Sequence, residues 1–422
     1  MKDDLHKRRH AKMQPVRRRG AKQQGTEAAT AADVPCRELG KSRTTATAAS
    51  AETQAAATAA TPYPQADACF AAMMGPMVLS VGSDCSGWCT ELQAARAVCP
   101  FPVRQFLACD SEAYVRRLIQ HCIKPTCLFD DLRTRRFDQT QRLDIYCCGW
   151  PCQAFSRSGL RQGMEDRRGR GALIMNVMAV IEATLPVSFI LENVPALVSD
   201  FSDVFEAIIS TLQSMAGSKY EVHWDLRNTR IHGGLPQDRT RIYVVGILKS
   251  KLKNQFRWPP PVACVPLASL LSDGDPSIDR FTPLCKGMQQ RLVAMIDKMP
   301  SSGKDTFERD FIIDIRASIP FVTEDYVPTL TATRCSQLGY WSTKRFRRLS
   351  IPEMMRLQGA DFPLLHGWEE VISERQMGEI VGNDVGLVLW RLPLVCFCHF
   401  FSVLLFSSRA VFFWRVWGLD WA

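Results

Sequence analysis

The stretch DIYCCGWPCQAFSRSG, Asp144 to Gly159, decides the reading of this chain. Ile145–Cys148 is a short apolar run of strand length, and Gly149-Trp150-Pro151 breaks it. A Pro-Cys step at a strand-to-loop transition holds the Cys152 thiol at the edge of a sheet, where a substrate can reach it. Outward from here the pattern repeats. Apolar runs bounded by turn residues recur at Val78–Val81, Val103–Ala108, Val187–Leu191 and Ile242–Ile247. Segments of helical period lie between them, at Ser111–His121, Ala172–Thr184 and Val204–Met215. Such alternation predicts an α/β fold, a mostly parallel sheet with helices on both faces. Ligands of these sheets bind at the carboxyl ends of the strands, so the loops there should carry the chemistry.

Three such segments stand out. In the first, Cys152 has the place of a nucleophile, which needs thiolate character from nearby positive charge; a buried structural cysteine is the plain alternative. In the second, FILENVPAL (Phe189–Leu197), an apolar strand ends in Glu192-Asn193-Val194. An acid there is partly desolvated, which raises its pKa and suits it to donate a proton; a loop or helix-capping acid is the alternative. In the third, GLPQDRTRIYVVGI (Gly234–Ile247), Gln237, Arg239 and Arg241 alternate as the chain enters a strand. Two arginines on one side suit an anion or a polarised carbonyl, or an ion pair at the sheet edge.

The rest of the chain bounds these readings. Of 422 residues 46% are hydrophobic and 23% charged, which excludes a wholly disordered chain, a collagen and a small disulfide scaffold. The net charge is +9, but residues 1–24 hold nine Lys/Arg and two acids, so the body is nearly neutral. Bulk charge alone therefore does not argue for nucleic acid. Lys7-Arg8-Arg9 and Arg17-Arg18-Arg19 read as a two-part nuclear import signal, a basic arm or a solvated tail. A transit peptide is disfavoured by Asp3 and Asp4. From Thr44 to Thr61, 15 of 18 residues are Ala or Thr, a linker composition. The 16 cysteines, with no secretory signal at the start, read as reduced thiols. With no CxxC pair and only 7 histidines, no metal site is expected. The expected organisation is a basic then Ala/Thr-rich tail over 1–76, a catalytic domain over 77–248, a smaller unit over 249–325, a return of the catalytic domain over 326–385 and an apolar tail over 386–422. Leu392–Ser408 carries no formally charged side chain over 17 residues. It is short for a membrane span of about 20, and a buried terminal helix or a non-native, misread exon fits as well.

Taken together and in order, Pro-Cys-Gln, Glu-Asn-Val and Gln-x-Arg-x-Arg resemble the C5-cytosine DNA methyltransferase family. VPTLTAT (Val327–Thr333) and RRLSIPEMMRLQGADF (Arg347–Phe362) resemble later motifs of that family, and the likeness spans roughly residues 77–385. It implies a Rossmann-like methyltransferase fold that uses S-adenosylmethionine, with 249–325 as the target-recognition region. DCSGWCTEL (Asp84–Leu92) resembles the family's first, cofactor-binding motif. Gly87 is in place, Cys89 and Thr90 stand where glycines are usual, and Cys85 replaces an aromatic residue. The resemblance assigns the cofactor to Cys85, Ser86, Gly87, Trp88, Asp110, Ser111, Asp131, Leu132, Pro151 and Asn383. Asp110 is placed for the ribose hydroxyls and Asp131 for the adenine.

The implied chemistry is addition of Cys152 to cytosine C6, which makes C5 nucleophilic toward the methyl group. Glu192 would hold the base and protonate N3, and Arg241 with Arg239 would stabilise the ring carbonyl. Gln153, Ser156, Arg157 and Gln237 would contact the DNA, with the reacting base flipped out of the duplex. The partner is DNA, the enzyme a monomer. Two other readings stay open: a tRNA cytosine-5 methyltransferase, whose Cys-Phe-Thr signature is absent here, and a catalytically silent chromatin-binding relative, favoured by the altered first motif.

Overall fold

The structure is a computed structural model that describes residues 78–135, 142–252, 254–273, 284–299, 308–317, 321–360, 362–384 and 386. The basic clusters, the Ala/Thr segment and the apolar tail beyond 386, with the readings attached to them, lie outside the described residues.

Seven strands form the central sheet: β1 (Leu79–Asp84), β2 (Val103–Cys109), β3 (Cys127–Phe129), β4 (Ile145–Gly149), β5 (Ser188–Asn193), β6 (Tyr220–Asn228) and β7 (Thr240–Leu248). Their order is β3-β2-β1-β4-β5-β7-β6. Every pairing from β3 to β5 is parallel, while β7 is antiparallel to both its neighbours. The α/β reading holds, with one strand reversed. That reversal matters for function, because it brings the first residues of β7, not its last, to the edge where β4 and β5 end.

Alternation along β4 separates the two faces of the sheet. Ile145 and Cys147 pack into one buried cluster, and Tyr146 and Cys148 into the other. Helices cover both: α1 (Thr90–Val98), α2 (Ala113–Leu118), α3 (Leu173–Thr184) and α4 (Ser202–Ser218) fall within this half of the chain. A strand buried on both faces reads as a continuous apolar run, which is why β1, β2, β4, β5 and β7 were visible in the sequence, whereas the part-exposed edge strands β3 and β6 were not.

Beyond β7, α5 (Lys286–Lys298) packs Met288 and Leu292 onto a small sheet through Ile313, Ile315 and Trp341. The small sheet is antiparallel, of β8 (Phe311–Asp314), β9 (Val322–Glu324), β10 (Tyr340–Ser342) and β11 (Arg347–Arg348), in the order β9-β8-β10-β11. It crosses the boundary expected at 325, taking two strands from each side. Two helices then return to the main sheet's core, α6 (Ile351–Gln358) and α7 (Glu374–Asn383). Each opens with a reciprocal capping box, Ser350 with Glu353 and Ser373 with Gln376. Among the described residues no helix is long and apolar enough to cross a membrane, and no group of three or more His, Cys, Asp or Glu is placed to hold a metal.

Candidate active site

The carboxyl edge of the sheet brings the three sequence segments together. Gly149, the last residue of β4, pairs with Glu192 on β5, and Glu192 pairs with Tyr243 on β7. Cys152 follows β4 and opens a single turn of 3₁₀ helix, Cys152–Ala154, whose closing N–H groups on Phe155 and Ser156 donate to the Cys152 carbonyl at 2.9 and 2.8 Å. The buried Asn193 side chain clamps this loop. Its Nδ2 donates to the Trp150 carbonyl at 3.1 Å, and its Oδ1 accepts from the Val194 N–H at 2.9 Å. Asn193 thus positions the Pro-Cys step from the neighbouring strand, a role that sequence reasoning had not given it.

Glu192 is only 6% exposed, and its Oε1 lies 3.0 Å from Arg241 Nε. Burial pushes this carboxyl above its ordinary range, against the pull of Arg241 and Arg239. Burial also pushes the Cys152 thiol up; Arg241 pulls it down, Glu192 pushes it up, and Arg239 pulls it down. A thiol, a buried carboxyl and a guanidinium therefore act on one another at one sheet edge. This is an arrangement that can add a thiol to an electron-poor ring while a neighbouring ring nitrogen takes up a proton.

Two expected members of the site are turned into the interior. Arg239 points its guanidinium at backbone carbonyls, although its charge and that of Arg241 act on each other. It is 2% exposed, donates to the Leu330 carbonyl at 2.7 Å and to the Asp384 carbonyl, and burial brings its pKa down to about 10. Its charge reaches Cys152 and Glu192 only through space. Gln237 is fully buried and not placed to touch a substrate. Its Nε2 donates to the Leu357 carbonyl and to Gln358 Oε1, both at 3.0 Å, fastening the two-residue strand Gln237–Asp238 to the end of α6. Alternation identified residues on one side of the chain, but that side faces the protein interior until Arg241.

The loop after Cys152 is folded tightly on itself. A Cβ on Gly159 would sit 2.2 Å from the Gln153 carbonyl oxygen, so only glycine fits that approach. Gln153 and Arg157 are exposed and Ser156 is half-buried. Further along, Asp166 accepts from the Arg168 and Arg170 N–H groups and from the Arg170 guanidinium, at 2.6–3.2 Å. Arg157 and Arg161 both bind Asp200. Neither Asp166 nor Asp200 was signalled by its surroundings in the sequence.

On the cofactor side, the turn after β1 takes three left-handed residues, Cys85, Gly87 and Cys89, with φ of 54°, 53° and 55°. Two cysteines therefore adopt a conformation that costs a non-glycine residue about 1–2 kcal/mol. The turn keeps its shape although Cys89 stands where the resemblance leads one to expect glycine. Gly87 is the open point, since a Cβ there would meet nothing within 4 Å. Its N–H donates to Asp110 Oδ2 at 3.1 Å, and Asp110 Oδ1 accepts from the Glu112 N–H at 3.0 Å. Burial pushes Asp110 up to about 6. An open turn beside an acid at the end of β2 fits a nucleoside whose ribose hydroxyls need an acceptor.

Of the other expected cofactor residues, Cys85 and Pro151 are half-buried, while Ser111 and Asn383 are exposed. Asp131 is forked by Arg133 at 2.8 Å, which holds its carboxyl below the ordinary range. Three side chains are committed to the interior. Trp88 is buried in the core, with its indole N–H on Thr90 Oγ1 at 2.5 Å. Leu132 is buried in the cluster on the other face. The Ser86 hydroxyl ties the end of β1 to β2 through the Ser83 and Cys109 carbonyls.

A family model described as C-5 cytosine-specific DNA methylase matches residues 121–389. Among curated proteins, the chain is 30% identical over 270 residues to the type II methyltransferase M.NgoBI of Neisseria gonorrhoeae, covering 63% of this chain and 76% of that protein. It is 30% identical over 252 residues to M.HaeII of Haemophilus aegyptius, covering 59% and 71%. Among solved structures, a putative DNA modification methyltransferase encoded within a prophage of E. coli superposes with a TM-score of 0.55 at 15% identity, over 77% of this chain and 99% of that one. A DNMT2 variant of Spodoptera frugiperda superposes at 0.52 and 15%, over 76% and 99%. At such identity these structures establish the fold alone.

Proposed function

The chain belongs to the C-5 cytosine-specific DNA methylases and is a methyltransferase, and from that premise we propose that it methylates C5 of a cytosine flipped out of DNA, by way of a covalent adduct on Cys152. The single observation that carries the assignment of roles is the buried Arg241–Glu192 pair at 3.0 Å, set one strand away from the Pro-Cys loop.

Cys152, as thiolate, forms a bond to C6, and the electron pair displaced from the C5–C6 bond moves toward N3 and the ring carbonyl. Glu192 delivers a proton to N3 as that charge develops. Arg241 holds Glu192 in place and offers positive charge to the carbonyl. S-adenosylmethionine, when bound, would supply an electrophilic methyl group to C5. Gly87, Asp110, Asp131 and Asn383 are the residues that would hold it, through the open turn and the acids at the ends of the strands. C5 would take that methyl group as the sulfonium sulfur leaves as a neutral thioether; solvent then accepts the C5 proton, the ring electrons expel Cys152 as thiolate, and the N3 proton returns to the Glu192 carboxylate. Taking the base out of the stack costs a few kcal/mol, to be offset by contacts from Gln153, Ser156 and Arg157 and from the small sheet with α5.

The test is transfer of labelled methyl from S-adenosylmethionine to duplex DNA, with tRNA as a parallel substrate. Transfer to DNA that Cys152→Ala abolishes is expected. Normal turnover by Cys152→Ala would remove the nucleophile, and transfer to tRNA alone would move the substrate to RNA. No binding of S-adenosylmethionine by calorimetry would identify a silent relative.

A further inference from the structure

The loop that carries Cys152 is fastened to the body of the protein by a carboxylate holding two arginines. Arg157 Nε lies 3.1 Å from Asp200 Oδ2, and its Nη2 lies 2.9 Å from Oδ1. Arg161 Nη2 reaches Oδ2 at 2.9 Å. The Ser199 hydroxyl completes the set, donating to Oδ1 at 2.6 Å. Asp200 itself is largely covered, whereas the arginine side chains are 70% and 51% exposed. The same turn packs Phe201 edge-on against Phe155, and against Gly163, where an added Cβ would lie 3.0 Å from the ring. Arg161 has a φ of 53°, a left-handed conformation that costs a non-glycine residue energy and that the ion pair helps to hold.

A carboxylate gripped by two guanidinium groups presents the oxygens that a phosphodiester would present in its place, since planar forks bind either anion in the same way. We propose that Arg157 and Arg161 form a phosphodiester-binding surface for the DNA backbone, which Asp200 occupies in the free protein as an internal competitor. Duplex DNA takes the arginines from Asp200 as its backbone binds. The proposal rests on the methylase reading of the site and adds to it the means by which the free loop is held. The Arg157 fork keeps Asp200 well below the usual carboxylate range, with Ser199 and Arg161 adding to the effect, so the competitor stays charged at neutral pH.

The experiment measures binding of a fluorescein-labelled cytosine-containing duplex to the full chain by anisotropy between 50 and 200 mM salt (roughly the range over which phosphate binding is most visible). Asp200→Asn should tighten binding by roughly two- to fivefold, the scale of an exposed ion-pair network. Arg157→Gln/Arg161→Gln should weaken it and lower the salt slope by about 0.9 for each phosphate that is no longer neutralised. The decisive arm adds Asp200→Asn to the arginine-less protein, where it should change nothing. Tightening that persists there would assign the effect to bulk charge and overturn the proposal, as would unchanged or weaker binding by Asp200→Asn alone. Asp200→Ser serves in the same design if the amide variant misfolds. A wild-type protein that binds no duplex overturns the methylase reading along with the proposal, whereas binding without a response at Asp200 overturns the proposal alone.

Discussion

Arg241 Nε stands 3.0 Å from Glu192 Oε1, across the junction of two antiparallel strands, with both side chains almost wholly covered. An ion pair so placed costs desolvation on both sides, and removing one partner leaves the other buried and uncompensated. The pair therefore supports the acid and the fold together. Arg241→Ala should cost about 3–5 kcal/mol of stability, read by urea denaturation. Glu192→Gln keeps the shape and a hydrogen-bonding group but cannot transfer the proton. It should fold normally and lose about 10²–10⁴-fold in kcat, read by labelled-methyl transfer.

The reactivity of Cys152 should report its neighbours. Burial holds the thiol above its ordinary range, Arg241 pulls it down and Glu192 pushes it up. The alkylation rate of Cys152 by iodoacetamide, followed against pH, should rise at higher pH than for a free thiol. Arg241→Gln should move that rise to still higher pH, and Glu192→Gln should move it lower. Shifts in the same direction for both variants would contradict the electrostatic account.

Beneath the turn after β1, Asp84 is fully covered and is held by both terminal nitrogens of Arg135 at 2.8 Å and by the Tyr146 hydroxyl at 2.6 Å. Loss of the cation should be far more damaging than loss of the hydroxyl. Arg135→Ala is expected to cost about 3–5 kcal/mol, and Tyr146→Phe about 1 kcal/mol, by chemical denaturation.

Glu91 is buried on α1, accepts from Gln105 Nε2 at 3.0 Å and is pushed up to about 7, chiefly by burial. The sign follows from linkage. An acid whose folded pKa exceeds its unfolded value of about 4.3 contributes stability at low pH that is lost as pH rises through the folded pKa. Wild-type stability should therefore fall between about pH 4 and 7 and level off above that, by something on the order of 3 kcal/mol for this group. Glu91→Gln should flatten that part of the thermal-melting profile and melt higher at pH 8. A parallel decline in the variant would assign the loss elsewhere.

The sequence carried five of the seven strands of the main sheet and the three segments at its edge, because each is a local pattern. An apolar run bounded by turns reads as a buried strand. Strand direction has no such mark, so the reversal of β7 was not visible. Nor was the fate of alternate residues in Gln237-x-Arg239-x-Arg241. Period two puts them on one side, but α6 and Asp384 claim Gln237 and Arg239 and leave Arg241 for Glu192. The small sheet was not visible for a related reason, since its strands pair across residue 325 from distant parts of the chain.

The sequence by itself determined which kind of fold this is and which thiol, acid and arginine could serve it, because those depend on residue type and near-neighbour spacing. Tertiary structure decided which of them meet. Asn193 reaches Trp150 across 43 positions, Arg161 reaches Asp200 across 39, and Arg239 reaches Leu330 across 91. Side-chain partners at such separations are selected by burial and by the need to satisfy every covered polar group, and that need arises only once the sheet has closed over them.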